Sequence, residues 1–234
     1  MKAVAVGVLA AASRCPATAF AYPAGRAGRV PPPSGVLTRL PGDGNLLALT
    51  VDDGASVEVV SAFATFCRDS GTRLTFFVNG ANSSWSVNAP QLRPMVESGQ
   101  IQMGNHTWSH PYITKITTAA LTDQIQRNKT FLQNTYGVDG TPFFRPPYGV
   151  HNDATDKIVA DLGYPTITMW STTIGDSNVE NEQQLLGAAQ QAFLGQQIVL
   201  AHANRPTITH TYPQLLDIIA SRNLQTVTLN DVFG

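Results

Sequence analysis

From residue 46 onward, short apolar runs alternate with amphipathic stretches, and this alternation constrains the fold more than any other feature. Residues 46–51, 74–78, 101–103, 143–144, 166–170, 197–201 and 225–229 read as buried strands. Between them the sequence predicts a helix from a Ser56 cap to about Asp69, then helices over 91–98 and 118–136, the latter closed by Gly137. Further helices are expected over 153–162, closed by Gly163, over 181–193 and over 213–221. The class that follows is α/β: about seven parallel strands in βα units, closed or nearly closed into a barrel. No internal repeat is visible.

The 234 residues suffice for one well-buried domain. Before residue 45 the alternation is absent. Lys2, an apolar run over 3–12 and the A-x-A-like Ala19-Phe20-Ala21 read as an export signal over 1–21, although Arg14 interrupts it. The alternative is a disordered, alanine-rich N-terminus. The apolar run is too short to cross a bilayer, so no membrane helix is expected. Residues 22–44, centred on Pro31-Pro32-Pro33, read as a spacer, which leaves 45–234 as the folded domain. A net charge of −1 gives no electrostatic case for nucleic acid or an acidic membrane surface. Cys15 and Cys67 are too few for a disulfide framework, and Cys67 reads as a small buried hydrophobe. A secreted or envelope-associated monomer is the expectation.

The polar oddities fall where the strands end. Asp52-Asp53-Gly54 follows the first strand and Asn105 with His106 and His110 the third. Arg145 follows the fourth, Ser171 to Asp176 the fifth, and His202 the sixth. In α/β barrels the C-terminal strand ends carry the site, so these residues should converge on one face. His106 and His110, four apart, would stack on a helical turn with both imidazoles in reach of one ion. Adjacent acids resist joint ionisation unless a cation lies nearby. A divalent metal on Asp53, His106 and His110 would relieve that and leave Asp52 as a base, with Gly54 allowing the chain to bend. The competing reading is a turn or a helix cap. Arg145-Pro146-Pro147-Tyr148 is stiff, and Arg145 could orient Asp52; the alternative is a solvated surface turn. His202, partnered by Asp176, could stay protonated and act as an acid, or be a structural histidine. His151 and His210 read as bystanders or substrate-side contacts, and Trp108 and Trp170 as core residues or sugar-stacking faces. Residues around Trp85, His151 and His210 are candidates for setting substrate choice. Sequons start at Asn82, Asn105 and Asn128, and at least the Asn105 match is read as chance.

With these motifs in view, the chain resembles the polysaccharide deacetylases, the NodB-homology carbohydrate esterases of family four. Thr50-Val51-Asp52-Asp53-Gly54 is similar to their first motif, His106 to His110 to the second, Arg145-Pro146-Pro147-Tyr148 to the third and Leu200-Ala201-His202 to the fifth. The likeness covers about 45–234. It implies a distorted (β/α) barrel and metal-dependent removal of acetyl groups from N-acetylated polysaccharide, peptidoglycan or chitin, releasing acetate. It also implies Asp52 as base, His202 as acid, Arg145 positioning Asp52, and Asp176 supporting His202. Asp53, His106 and His110 become ligands of a divalent ion, zinc first and cobalt or another first-row ion after it. The Tyr148 backbone N–H would help hold the oxyanion, with Leu200 and Trp170 on the substrate side. The fourth motif departs from the family's Asp-x-x-Asp-Trp: Thr173-Ile174-Gly175-Asp176-Ser177 keeps only the second aspartate. That departure should affect substrate preference rather than hydrolysis. The alternatives are an O-acetyl esterase on xylan, a silent envelope glycan-binding protein, and a metal-independent amidase, against which the intact ligand set speaks.

Overall fold

A computed structural model describes residues 28–178 and 181–234; the expected export signal over 1–21 lies outside them. In chain order the elements are β1 (Gly35–Leu37), β2 (Leu46–Asp53), α1 (Val57–Ser70), β3 (Leu74–Val78), α2 (Ser84–Val87), α3 (Ala89–Glu97), β4 (Ile101–Asn105) and α4 (Thr118–Tyr136). Then follow β5 (Phe143–Phe144), α5 (Asp153–Asp161), β6 (Thr166–Thr168), β7 (Thr172–Thr173), α6 (Glu182–Ala192), β8 (Gln197–His202), α7 (Tyr212–Ser221), β9 (Gln225–Val227) and α8 (Leu229–Val232). Among the described residues nine strands pair in parallel, eight of them in the order β1-β6-β5-β4-β3-β2-β8-β7. β9 joins the opening half of the β2 edge that β3 takes further along. The sheet curls without closing. Its open side is spanned by an antiparallel bridge between Arg39 and Gln197.

Side-chain alternation separates two apolar layers. Leu47, Val51, Phe76 and Val199 point outward, into the core that the helices cover. Ala48, Phe77 and Ile198 point into the barrel, with Leu37, Phe143 and Val227. By the same alternation Thr50 and Asp52 on β2, and Leu200 and His202 on β8, share the inward face. Each fully buried aliphatic or aromatic side chain contributes about 1.5–3 kcal/mol to this core. Cys67 is one of the buried members, and burial pushes its thiol up and out of reactive range.

Local signals fix most helix ends. The Ser56 hydroxyl accepts from the Val59 N–H, Thr117 does the same for Ala120, and Gly71 and Gly137 end their helices in the left-handed conformation. Three expectations need correction. The spacer boundary lies too late in the chain: Gly35–Leu37 pairs with Thr166–Thr168, and Leu37 and Leu40 are buried in the inner layer. Three residues among prolines are too few to show a periodic pattern, so only the pairing reveals the strand. The strand expected over 166–170 stops at Thr168, because the carbonyls of Thr168 and Met169 turn to accept from the Arg145 guanidinium. The last strand stops at Val227, since Thr228 and Asp231 form a capping box that starts α8.

Candidate active site

At the C-terminal ends of β2, β4, β5 and β8 the polar groups meet. Asp52 lies opposite His202 in the β2–β8 register, and β8 ends at His202. The Asp52 carboxylate is buried and accepts from Arg145 Nη1 at 2.7 Å. Arg145 has no solvent exposure, so its charge needs every donor answered. Nη1 also donates to Thr50 Oγ1 at 2.7 Å, Nε to the Thr168 carbonyl at 3.0 Å and Nη2 to the Met169 carbonyl at 2.9 Å. The guanidinium carbon sits 4.2 Å from the Phe77 ring centroid, a cation–π contact from below. Asp52 is thereby fixed in one orientation.

Asp53 takes a left-handed backbone, φ 71°, and Gly54 follows at φ 81°. This breaks the strand's alternation and lets two successive carboxylates serve one site. A Cβ at Gly54 would lie 2.4 Å from the buried Trp85 ring, so only glycine fits. Trp85 is therefore core rather than a substrate-side residue: its Nε1 donates to the Asp53 carbonyl at 2.9 Å. Asp53 Oδ2 accepts from Asn204 Nδ2 at 2.7 Å. Oδ1 is buried without a hydrogen-bond partner, 3.3 Å from His106 Nε2 and 3.4 Å from His110 Nε2. Burial works against this carboxylate's charge, but the two imidazoles and Asn204 hold it far below the usual range.

The two histidines do not lie on a helical turn, which corrects the expectation from their spacing. They belong to a loop in which Thr107 (φ 69°) and His110 (φ 60°) are left-handed. Buried amides shape it: Asn105 Oδ1 accepts from the Thr107 N–H at 2.9 Å, and Asn79 Nδ2 donates to the His106 and Thr107 carbonyls. His106 Nδ1 donates to the Arg145 carbonyl at 2.7 Å, which turns Nε2 toward Asp53. Burial disfavours its charged form, but Asp52 and Asp53 beside it raise its pKa. His110 goes the other way, pushed down to about 4 by burial and by His106. The ligand atoms of Asp53, His106 and His110 lie within 4.8 Å of one another, and together they could hold a metal ion. The unpartnered Asp53 Oδ1 at their centre, with a mixed carboxylate and imidazole donor set, fits a divalent cation of the zinc class.

Opposite stands His202. Its Nδ1 lies 2.9 Å from Asp176 Oδ1, and its backbone N–H donates to Asp176 Oδ2 at 2.6 Å. Burial opposes protonation, yet the Asp176 contact and the more distant charges of Asp52 and Asp53 raise the His202 pKa. Leu200 is buried one inward position below His202 and accepts at its carbonyl from Thr173 Oγ1 at 3.1 Å. Tyr148 has φ 59°; its exposed ring stacks on Tyr112 at 4.0 Å and meets the His110 ring at 4.3 Å. Trp170 is half-buried, packed on the inner core and 5.7 Å from the Arg145 guanidinium. Of the other candidates, Trp108 packs on Phe131 and under Arg127. His151 pairs with Asp156, and exposed His210 with Glu182. The sequon asparagines are all engaged: Asn105 and Asn128 are wholly buried, and Asn82 Nδ2 donates to the Asp53 carbonyl.

Sequence reasoning missed Asn204, Thr50 and Ser177. Asn204 follows His202 by two on the same strand end, the one signal that could have raised it. Ser177 counts in the sequence only as a departure from the fourth motif, but its Oγ lies 2.9 Å from His202 Nδ1.

A polysaccharide deacetylase family model matches residues 39–167. The chain is 30% identical over 193 residues to the peptidoglycan-N-acetylglucosamine deacetylase PgdA of Listeria monocytogenes, covering 80% of this chain and 39% of that protein. It is 27% identical over 196 residues to a chitin deacetylase of Pestalotiopsis sp, covering 81% of this chain and 64% of that protein. It thus spans less than two thirds of the length of either relative. Its fold is similar to that of the chitin deacetylase from the fungal pathogen Colletotrichum lindemuthianum, with a TM-score of 0.75 at 24% identity over 88% of this chain and 93% of that one. More than half of the chain answers to one family's pattern, and the chain belongs to the polysaccharide deacetylase family.

Proposed function

We propose that this chain is a metal-dependent hydrolase that removes N-acetyl groups from N-acetylglucosamine units of peptidoglycan or chitin. The observation that carries this reading is the pairing of Asp52 with His202 across one strand register, beside the Asp53–His106–His110 cluster. A divalent ion there, zinc or a neighbouring first-row metal, would polarise the acetyl carbonyl and acidify a water. Asp52, held by Arg145, takes the proton of the attacking water. The Tyr148 N–H is the chain's own candidate donor to the developing oxyanion, a contact worth about 3–4 kcal/mol in comparable sites. His202 gives its Nε2 proton to the departing nitrogen as the C–N bond breaks, because an unprotonated amine leaves poorly. Leu200 and Trp170 line the approach for the sugar. The export-like start agrees with a polymer substrate outside the cell.

The decisive experiment is acetate release from N-acetylglucosamine oligomers and from peptidoglycan, with metal-loaded and chelated protein compared. Metal-dependent acetate supports the proposal and the preferred polymer names the substrate. Release only from acetylated xylan would move the assignment to ester hydrolysis, and no acetate from bound, metal-loaded protein would favour a silent binder.

Two variants separate the roles. His202→Ala is expected to abolish deacetylation while metal content, read by elemental analysis, stays near that of the unaltered protein; equal loss of metal would overturn its role as an acid. Asp176→Asn removes the charge that raises the His202 pKa. A raised pKa keeps the acid form present from low pH until the pH rises through it, so the Asp176→Asn alkaline limb should move to lower pH. An unmoved limb in the kcat/KM profile would detach Asp176 from the acid.

A further inference from the structure

We propose that Ser177 is a positioning residue for His202, a second acceptor for its Nδ1–H that does part of what the family's missing fourth-motif side chains do. This rests on the reading of His202 as the acid.

The fourth motif keeps one of its three family residues, yet its geometry is closed by the two that differ. Thr173 Oγ1 donates to the Leu200 carbonyl at 3.1 Å and accepts from the Gly175 N–H at 3.0 Å. That ties the turn carrying Asp176 and Ser177 to β8, the strand that ends in His202. Both neighbours on the turn then meet one imidazole nitrogen: Asp176 Oδ1 and Ser177 Oγ each lie 2.9 Å from Nδ1. An ionised carboxylate facing Nδ1 requires a proton there, so the serine oxygen cannot be donating to the same nitrogen. It accepts, and the Nδ1–H is shared in a three-centre bond. The two acceptors hold the one Nδ1–H from two directions and leave Nε2 as the site that gives its proton to the leaving nitrogen. Asp176 is further held by the His202 backbone N–H, so the aspartate alone fixes one edge of the ring and Ser177 restrains its rotation.

Such a role predicts a specific kinetic signature. Amide cleavage needs the acid, whereas an acetate ester with a good leaving group, 4-nitrophenyl acetate, expels its leaving group unaided. In Ser177→Ala the ratio of kcat on N-acetylglucosamine oligomers to kcat on 4-nitrophenyl acetate should fall about fivefold, the scale of one ordinary intramolecular hydrogen bond. KM for the oligomer should hold, and Ser177→Thr should restore the ratio. A ratio unchanged in Ser177→Ala, or amide and ester rates falling together, would overturn the proposal. If the unaltered, metal-loaded protein releases no acetate from the oligomer, the deacetylase reading itself fails; an active parent with an unmoved ratio fails only the role of Ser177.

Discussion

Asp52→Asn is expected to cut acetate release by about a thousandfold, within the range for loss of a positioned general base, while the chain still folds with a lowered melting temperature because buried Arg145 loses its counter-charge. Its partners explain both halves of that expectation. The carboxamide oxygen can still accept from Arg145 Nη1, now at 2.7 Å from Asp52 Oδ1, so the buried guanidinium keeps an answer. The amide cannot take a proton from water. Its NH2 would instead face the region of His106 Nε2, which lies 3.7 Å from Asp52 Oδ2. Acetate release and a thermal melt on the same preparation check the pair. Activity within tenfold of the unaltered protein would sink Asp52 as the base and point to another acceptor in the cluster.

Arg145→Ala should act on the fold itself, with a loss of about 3–5 kcal/mol, the scale for removing one partner of a buried ion pair. Asp52 would be left buried without its counter-charge, and Thr50, Thr168 and Met169 would each lose a donor. The Phe77 ring below would face a void. Lysine would keep the charge but not the fork, so Arg145→Lys should fall between the two. The midpoint of denaturant unfolding measures both. A shift equivalent to less than about 1 kcal/mol, typical of an exposed pair, would mean that the guanidinium does not hold the strand ends together.

The contrast between these variants reflects how the site is built. Asp52 and Arg145 lie far apart in the chain and touch only because β2 and β5 end on the same face of the sheet. Yet each could be nominated beforehand, since each follows an apolar strand and strand ends of a parallel barrel share a face. The same logic reached Asp53, His106, His110, Asp176 and His202. What failed was the local geometry between strands. The spacing of His106 and His110 suits a helical turn, but Asn79 donates to the His106 and Thr107 carbonyls and Asn105 accepts from the Thr107 N–H, which holds the segment as a loop. Trp85 gave no sign that it would fill the space left by Gly54.

By itself the sequence determined the α/β class, the helix ends marked by Ser56, Thr117 and Gly137, and the residues that gather at the strand ends. These follow from periodicity and capping, which act over a few residues. Only the tertiary structure decided that Gly35–Leu37 is a strand, that Asp53 leaves one oxygen buried and unpartnered, and that Ser177 reaches His202. Each of those depends on contacts between distant segments, where the partner's position, and not the residue's own preference, sets the energy.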